Sequence, residues 1–209
     1  MPLTAFGRLT LSVLTVGLIA TTANAAPETW DIDTGHSTVG FTVRHNIVSK
    51  SMGRFADFNG TLMLDPAKLE ETKIDVTIDA ASIDTDNDKR DGHLKSPDFF
   101  DVAKFPTITF KSTSVKPKDK ETGVVMGDLT INGITKPVEL MYTVLGFTEA
   151  WGGQRAGFEA TGTINRKDFN VSWSKVLDNG GLAVAEKVDI TIALETVKAK
   201  PEEAKPAGK

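Results

Sequence analysis

The sequence predicts an all-β fold in a single domain. Apolar and polar residues alternate with a period of two in segment after segment, which is typical of strands with one buried face. Glycine-, proline- and asparagine-rich turn signals separate these segments. Only residues 86–104 break the pattern. Together these features predict about eight strands and one short helical insertion.

The first 25 residues have the pattern of an export signal. Leu9 to Ala20 is almost entirely apolar or small, and Ala23-Asn24-Ala25 is a small-x-small site for signal peptidase. An N-terminal membrane anchor is the alternative, but the apolar stretch is shorter than the roughly 20 residues that span a bilayer. We therefore expect residues 1–25 to be removed and the protein to be periplasmic or secreted.

The composition excludes several classes of function. The net charge is −4, which gives no electrostatic footprint for nucleic acid, and we expect no nucleic-acid partner. The chain contains no cysteine, which excludes thiol catalysis, cysteine-ligated iron–sulfur clusters and cysteine-based zinc sites. It is nevertheless long enough to bury a substantial core without disulfides.

The candidate strands follow one another from residue 39 to residue 194. Odd positions of residues 39–45 form one apolar face that ends in His45, and a second strand region runs from Phe55 to Leu64. The later alternating positions are Ile74, Val76 and Ile78; Ile108 and Phe110; Leu129 and Ile131; Val138, Leu140, Tyr142 and Val144; Phe158 to Ile164; and Val188, Ile190, Ile192 and Leu194.

Turns and caps fit between these strands. Asn132-Gly133 predicts a tight hairpin, because both residues tolerate positive φ. Asp86 or Asn87 is a candidate N-cap for a short helix through Leu94, and Pro97 a candidate start of a second turn. We place the domain at residues 26–197 and expect the polar tail at 198–209 to be disordered. Periodicity alone leaves a sandwich and a closed barrel as alternatives.

No motif predicts catalysis or a metal site. The acidic run Asp84 to Asp88 fails the calcium-loop pattern, since Lys89 and Lys95 stand where glycine and glutamate are required. The three histidines, His36, His45 and His93, have no short-range metal spacing. His36 and Ser37 are adjacent in an extended segment and point to opposite faces, and no G-x-S-x-G elbow occurs. We predict no catalytic residue, metal or cofactor.

Two features of the sequence each allow a purely structural interpretation and a functional one. The segment Arg90-Asp91-Gly92-His93-Leu94 is either a helix with an exposed ion pair or a polar plug that fixes the helix against a barrel mouth. The abundant phenylalanines either fill an ordinary core or line a chamber.

These residues together resemble the YceI-like family of polyisoprenoid-binding proteins. The similarity runs in order from about Trp30 to Glu195, nearly the whole chain after the export signal. The motifs that carry it are Trp30-Asp31-Ile32-Asp33, His36-Ser37, Val39 to His45, Gly53-Arg54-Phe55, Phe58-Asn59-Gly60, Ser82 to Thr85, Arg90 to Ser96, Asp98 to Asp101, Phe105-Pro106, Phe110-Lys111-Ser112, Gly127 to Gly133, Thr135 to Val138 and Asn165 to Phe169.

The resemblance implies an elongated, lipocalin-like antiparallel barrel with a deep apolar pocket. It implies binding of a long-chain isoprenoid or similar lipid, such as a quinone or polyprenyl chain, without catalysis, and it allows a homodimer. Asn170 departs from the family pattern, in which glycine often follows Asp168-Phe169.

The predicted ligand-binding residues comprise the apolar faces of the strands and four polar residues. The four polar candidates for the pocket or its mouth are His45, Arg90, Asp91 and His93. The apolar candidates are Phe41, Val43, Phe55, Leu62, Val76, Ile78, Phe100, Ile108, Phe110, Leu129, Ile131, Leu140, Tyr142 and Phe158.

Two other functions remain as alternatives. One is a lipid-modifying hydrolase or isomerase with His45 or His93 as general base. The other is a structural envelope module whose barrel is solidly packed, without a cavity of roughly 300 Å³.

Overall fold

The computed structural model describes residues 26–178 and 180–200. Those ranges contain an 11-stranded antiparallel sheet and one α-helix. The elements are β1 Glu28–Ile32, β2 Thr38–His45, β3 Ser49–Phe55, β4 Phe58–Leu64, β5 Lys73–Asp79, β6 Ile83–Asp84, α1 Asp88–Lys95, β7 Thr107–Pro117, β8 Thr122–Ile131, β9 Ile134–Ala150, β10 Gly153–Asn165 and β11 Val184–Lys198, with short 3-10 helices at Thr34–His36, Leu69–Glu71, Ala80–Ser82 and Arg166–Phe169.

Eight of the strands close into a barrel. Their order around the ring is β1, β4, β5, β7, β8, β9, β10 and β11, and β11 pairs back onto β1. Trp30 lies at the closure, because it is paired with Leu62 on β4 and with Lys198 on β11. The predicted antiparallel barrel of about eight strands is confirmed, and the sandwich alternative is wrong.

Three further strands lengthen one side of the barrel. After β1 the chain bends through the 3-10 helix Thr34–His36 and continues along β11 as β2. Strand β3 then pairs with β2, and β6 pairs with β3, so the sheet extends past the closed ring. The bend is fixed by Asp33, whose carboxylate accepts a hydrogen bond from the Gly35 amide at 3.1 Å. This extension carries the sheet beyond the eight strands of the ring.

Helix α1 and the turn after it lie at the end of the barrel that carries the β8–β9 hairpin. Asn87 is the N-cap, and its side-chain oxygen accepts from the Arg90 amide at 2.9 Å. The predicted short helix is therefore confirmed, with Asn87 as its cap. The Asn132 side chain donates to the Phe99 carbonyl at 2.7 Å and joins the segment to the hairpin. This end of the barrel, called the α1 end, is opposite the end formed by Leu69–Glu71 and the β7–β8 turn.

Turn geometry agrees with the residue types at two predicted positions. Asn132 and Gly133 have φ of 51° and 71°, the left-handed pair that a tight hairpin requires. Asn170, where the family often has glycine, has φ 58° and ends the 3-10 helix Arg166–Phe169. Asparagine tolerates this conformation better than other non-glycine residues, so the departure leaves the local turn intact.

The described residues begin at Ala26 and end at Lys200. The predicted signal peptide at 1–25 and residues 201–209 of the predicted polar tail lie outside the described residues. Strand β11 reaches Lys198, and the Ala199 amide donates to the Thr29 carbonyl at 2.8 Å. No α-helix within 26–178 and 180–200 has the length and apolar character to cross a membrane.

Candidate ligand cavity

An apolar cavity of about 250 Å³ runs through the barrel interior. Its wall takes side chains from β1 and β2 at one side to β9, β10 and β11 at the other, and its α1 end is closed by Leu94, Phe99 and Phe100. Nearly all of the lining side chains are aliphatic or aromatic. The volume lies just below the range of about 300–1,000 Å³ that is common for small-molecule pockets, so the solidly packed structural module stays an alternative.

Every apolar residue predicted for the pocket lines this cavity. The reason is geometric: alternate side chains of a strand point to the same face, and in a closed barrel that face is the interior. The residues are Phe41, Val43, Phe55, Leu62, Val76, Ile78, Phe100, Ile108, Phe110, Leu129, Ile131, Leu140, Tyr142 and Phe158. Their role in binding a ligand stays a prediction.

The four polar candidates, by contrast, do not line the cavity. Arg90 donates to the Thr85 hydroxyl at 2.7 Å and to the Thr85 carbonyl at 2.6 Å, while the Asp91 carboxylate accepts from the Thr85 amide at 3.1 Å and from its hydroxyl. Both residues thus tie α1 to the chain just after β6. Neither side chain is among the residues that line the cavity, and a role for Arg90 and Asp91 at its mouth stays a prediction.

The two histidines proposed for the mouth are also outside. His93 pairs with Asp98 at 2.9 Å and packs edge-on against Phe99 and Trp173, with ring centroids 5.0 and 4.9 Å away. His45 ends β2, opposite Ser49. Neither histidine is among the residues that line the cavity.

Arg166 is a buried lining residue that sequence analysis missed. It is 5% exposed, and its guanidinium donates to the carbonyls of Ala185, Val171 and Val184 at 2.8, 2.6 and 3.0 Å. Burial lowers the pKa of Arg166, because the charged form loses solvation. It belongs to the family motif Asn165 to Phe169, but a charged residue after a strand gives no local sign of burial.

Two hydroxyls in the cavity wall are buried without a partner. Tyr142 on β9 is 8% exposed, and its oxygen makes no hydrogen bond within the described parts of the chain. Burial raises the pKa of this phenol, and the negative charges of Asp119 and Glu70 add to the effect. The Thr72 hydroxyl, beside the 3-10 helix Leu69–Glu71, is buried and unpartnered in the same way. These groups lie at the end opposite α1.

An acidic group with a histidine lies at the bend between β1 and β2. The ligand atoms of Asp33, His36 and Glu195 lie within 4.8 Å of one another, as in a metal site. Arg155 already donates to both carboxylates and stacks over Trp151 at 5.1 Å. Arg155 therefore offsets one of the two negative charges of this cluster, and the group acts as a structural ion network.

Curated relatives match the chain over most of its length. Protein YceI of Escherichia coli strain CFT073 is 43% identical over 182 residues, which cover 87% of this chain and 92% of that protein. A UPF0312 protein of Photorhabdus laumondii is also 43% identical, over 91% of this chain and 98% of its own.

Solved structures share the fold. Burkholderia cenocepacia BcnA is similar with a TM-score of 0.68 and 28% identity, over 78% of this chain and 98% of its own. Campylobacter jejuni YceI gives 0.64 and 31%, over 75% and 90%. A polyisoprenoid-binding domain from Saccharophagus degradans gives 0.60 at 16% identity, over 81% and 98%, which shows a common fold alone.

The family comparison agrees with these relatives. The model of the YceI-like domain matches residues 30–196, almost the range over which the sequence motifs were recognised. The chain belongs to the YceI-like family.

Proposed function

We propose that this protein binds a long-chain apolar lipid in its barrel cavity and carries or sequesters it without catalysis. A polyisoprenoid or an isoprenoid quinone is the ligand class we favour. The observation that carries the proposal is the cavity itself, whose wall is apolar along its length and is built from nearly every strand. The polyisoprenoid-binding domain of Saccharophagus degradans, which shares the fold, supports the same class of ligand.

The driving force would be the removal of a hydrocarbon tail from water. Each buried methylene contributes about 0.8 kcal/mol, so a tail of roughly a dozen carbons could bind tightly with few polar contacts. A cavity of about 250 Å³ suits a slender hydrocarbon chain. Side-chain movement, or a part of the ligand left outside, would accommodate a longer molecule.

A catalytic role has less support. His45 and His93, the candidate general bases, lie outside the cavity wall. The polar residues that do line it are Thr72, Tyr142, the exposed Glu159 and Arg166, whose guanidinium is held by three backbone carbonyls. These groups can bind and orient a ligand, and no histidine is among the lining residues.

We further propose that the protein works outside the cytoplasm. The signal-like segment at 1–25 supports export, and a mature chain that begins at Ala26 would test it. N-terminal sequencing of the protein isolated from its native cells should give that start. Retention of Met1 in the mature protein would contradict the export proposal. A homodimer and the absence of a nucleic-acid partner stay predictions.

Extraction of the purified protein tests the binding proposal. Protein expressed with its export signal and purified without detergent should release a long-chain lipid into organic solvent, at up to one molecule per chain, as measured by mass spectrometry. An unrelated exported protein, purified in parallel, controls for lipid carried over from membranes. Recovery of no lipid, together with no uptake of added polyprenols or quinones, would favour a solidly packed structural module. Recovery of a chemically altered lipid after incubation would favour an enzyme.

A further inference from the structure

At the end of the cavity opposite α1, two buried hydroxyl groups make no hydrogen bond within the described residues. The Tyr142 oxygen is buried within an otherwise apolar chamber and has no hydrogen-bond partner within the described residues. The Thr72 oxygen is also buried without a hydrogen-bond partner among the described residues, and Thr72 lines the same cavity. A buried hydroxyl without a partner loses its hydration and gains nothing in return, so two of them in one cavity wall need an explanation.

The local structure makes room for the Tyr142 hydroxyl. Tyr142 is paired with Gly123 on β8 and with Ala160 on β10, two small residues that leave space beside the ring. A Cβ atom added to Gly123 would lie 2.6 Å from the Tyr142 oxygen and 2.5 Å from the Lys116 carbonyl oxygen. The phenol therefore occupies space that any side chain at residue 123 would close.

The same end of the cavity is close to solvent. Thr72 and Ile74 line the cavity and also line a groove on the outer surface, bordered by Glu70, Lys73 and Lys111. The wall there is thus one residue thick, whereas the α1 end is covered by Leu94, Phe99 and Phe100.

We propose that Tyr142 and Thr72 form the polar end of the ligand site, where they hydrogen-bond a neutral oxygen at one end of an otherwise apolar ligand. This inference rests on the proposed lipid-binding function and adds to it the orientation and the end-group chemistry. The ligand's oxygen lies next to Leu69–Glu71, and its tail points towards α1. The entrance is accordingly at the Thr72 wall, not at the helix.

The apolar surroundings favour a neutral end group. A carboxylate or phosphate would lose its hydration in a chamber lined almost entirely by apolar side chains, and the negative charges of Asp119 and Glu70 add a smaller repulsion. The phenol stays protonated at neutral pH and can donate a hydrogen bond. An alcohol, ketone or quinone oxygen can accept that bond without introducing a charge into the apolar chamber.

Tyr142→Phe is the variant that isolates the hydroxyl, because it keeps the ring. The probes are farnesol, the matching hydrocarbon farnesene and the matching acid farnesoic acid, each titrated by displacement of a fluorescent apolar dye. We expect Tyr142→Phe and Thr72→Val each to weaken farnesol binding by about threefold to tenfold and to leave farnesene binding unchanged. Thr161→Val, an outward-facing residue of β10, is the control and should change neither.

Three results would overturn the proposal that Tyr142 and Thr72 form the polar end of the ligand site. One is an equal effect of Tyr142→Phe on farnesol and farnesene, and another is no effect on either. The third is farnesoic acid binding to the wild-type protein as tightly as farnesol at pH 8. If the folded wild-type protein binds none of the three probes, the proposed lipid-binding function itself is wrong, and the proposed polar end of the site is wrong with it.

The free protein gives a second readout. Because the hydroxyl is buried without a partner, its removal should leave the thermal midpoint of ligand-free Tyr142→Phe equal to that of the wild type or raise it by about 2–4 °C. A lowered midpoint would show that the hydroxyl is held by the protein itself, and the proposal would be wrong.

Discussion

The Arg155 guanidinium donates to the Asp33 carboxylate at 3.1 Å and so joins strand β10 to the bend between β1 and β2. The same nitrogen also contacts Glu195 on β11. The bend is the point where the closed ring passes into the lengthened side of the barrel, and this ion network fixes it.

Asp33 should make the stability of the protein depend on acidic pH. Hydrogen bonds from His36, and then from Arg155 and the Gly35 amide, hold the pKa of Asp33 below its ordinary value of 3.8. A carboxylate with a lowered folded-state pKa stabilises the fold fully above its unfolded pKa, and this stabilisation is lost as the pH falls through the folded value. We therefore expect Asp33→Asn to unfold more readily than the wild type at pH 6, and the difference to shrink at pH 3.

Urea unfolding of both proteins at the two pH values measures this difference. The comparison cancels the other carboxylates with lowered pKa values, Asp84, Asp119 and Glu186, because both proteins contain them. A gap between the two proteins that stays constant or widens as the pH falls would contradict the assignment.

Even the substitution of Arg166 by lysine, which keeps the positive charge, should destabilise the protein. Its planar guanidinium serves three backbone carbonyls at once, which a single ammonium on a different stem cannot reproduce. We expect Arg166→Lys to lower the free energy of unfolding by about 2–4 kcal/mol, because buried carbonyls lose their donors. Chemical denaturation would measure the loss.

The neighbouring Lys167 provides the control. It makes an exposed pair with Glu186 at 2.6 Å, so Lys167→Ala should have little effect on stability. Similar losses for the two variants would show that the buried carbonyl contacts of Arg166 are not what stabilises this region.

Ile47 should be a site where substitution stabilises the protein. Its φ of 67° places a β-branched residue in the left-handed region at the β2–β3 turn, where it is also 46% exposed. This conformation costs a β-branched residue about 1–2 kcal/mol, and asparagine tolerates it better. Ile47→Asn should raise the thermal midpoint by about 2–4 °C.

Val48→Asn is the matched control, because Val48 is 89% exposed and lacks a positive φ. Its midpoint should change little. If both variants stabilise equally, relief of exposed apolar surface explains the effect, and backbone strain does not.

The cavity wall was predictable because a strand repeats every two residues. The face chosen for Phe41, Phe110 or Tyr142 is a property of the local sequence, and barrel closure then turns that face inward. The alternation of inward and outward side chains is interrupted at a β-bulge. The register shifts between Ser112 and Ser114, so the inward positions of β7 pass from even numbers, as at Phe110, to odd numbers at Val115.

Polar residues were harder to place, because their positions depend on distant partners. Arg90 and Asp91 face Thr85, and Arg166 faces carbonyls of the loop and strand that follow it. No local pattern distinguishes a buried arginine from a solvated one. Thr72 was missed for a related reason, since its burial comes from the packing of the Leu69–Glu71 turn against β7.

The central claim, that the barrel interior takes up a lipid tail, is tested most directly by filling the cavity. Ala160 on β10 lines the cavity, and the next residue, Thr161, is exposed on the outer face. Ala160→Phe places a ring in the chamber, whereas Thr161→Phe adds the same bulk outside. The measurement is saturable binding of farnesene by each folded variant, with folding verified by circular dichroism. We predict that the wild type and Thr161→Phe bind farnesene with the same affinity and that the affinity of Ala160→Phe is at least tenfold lower. Undiminished farnesene binding by Ala160→Phe would contradict the account.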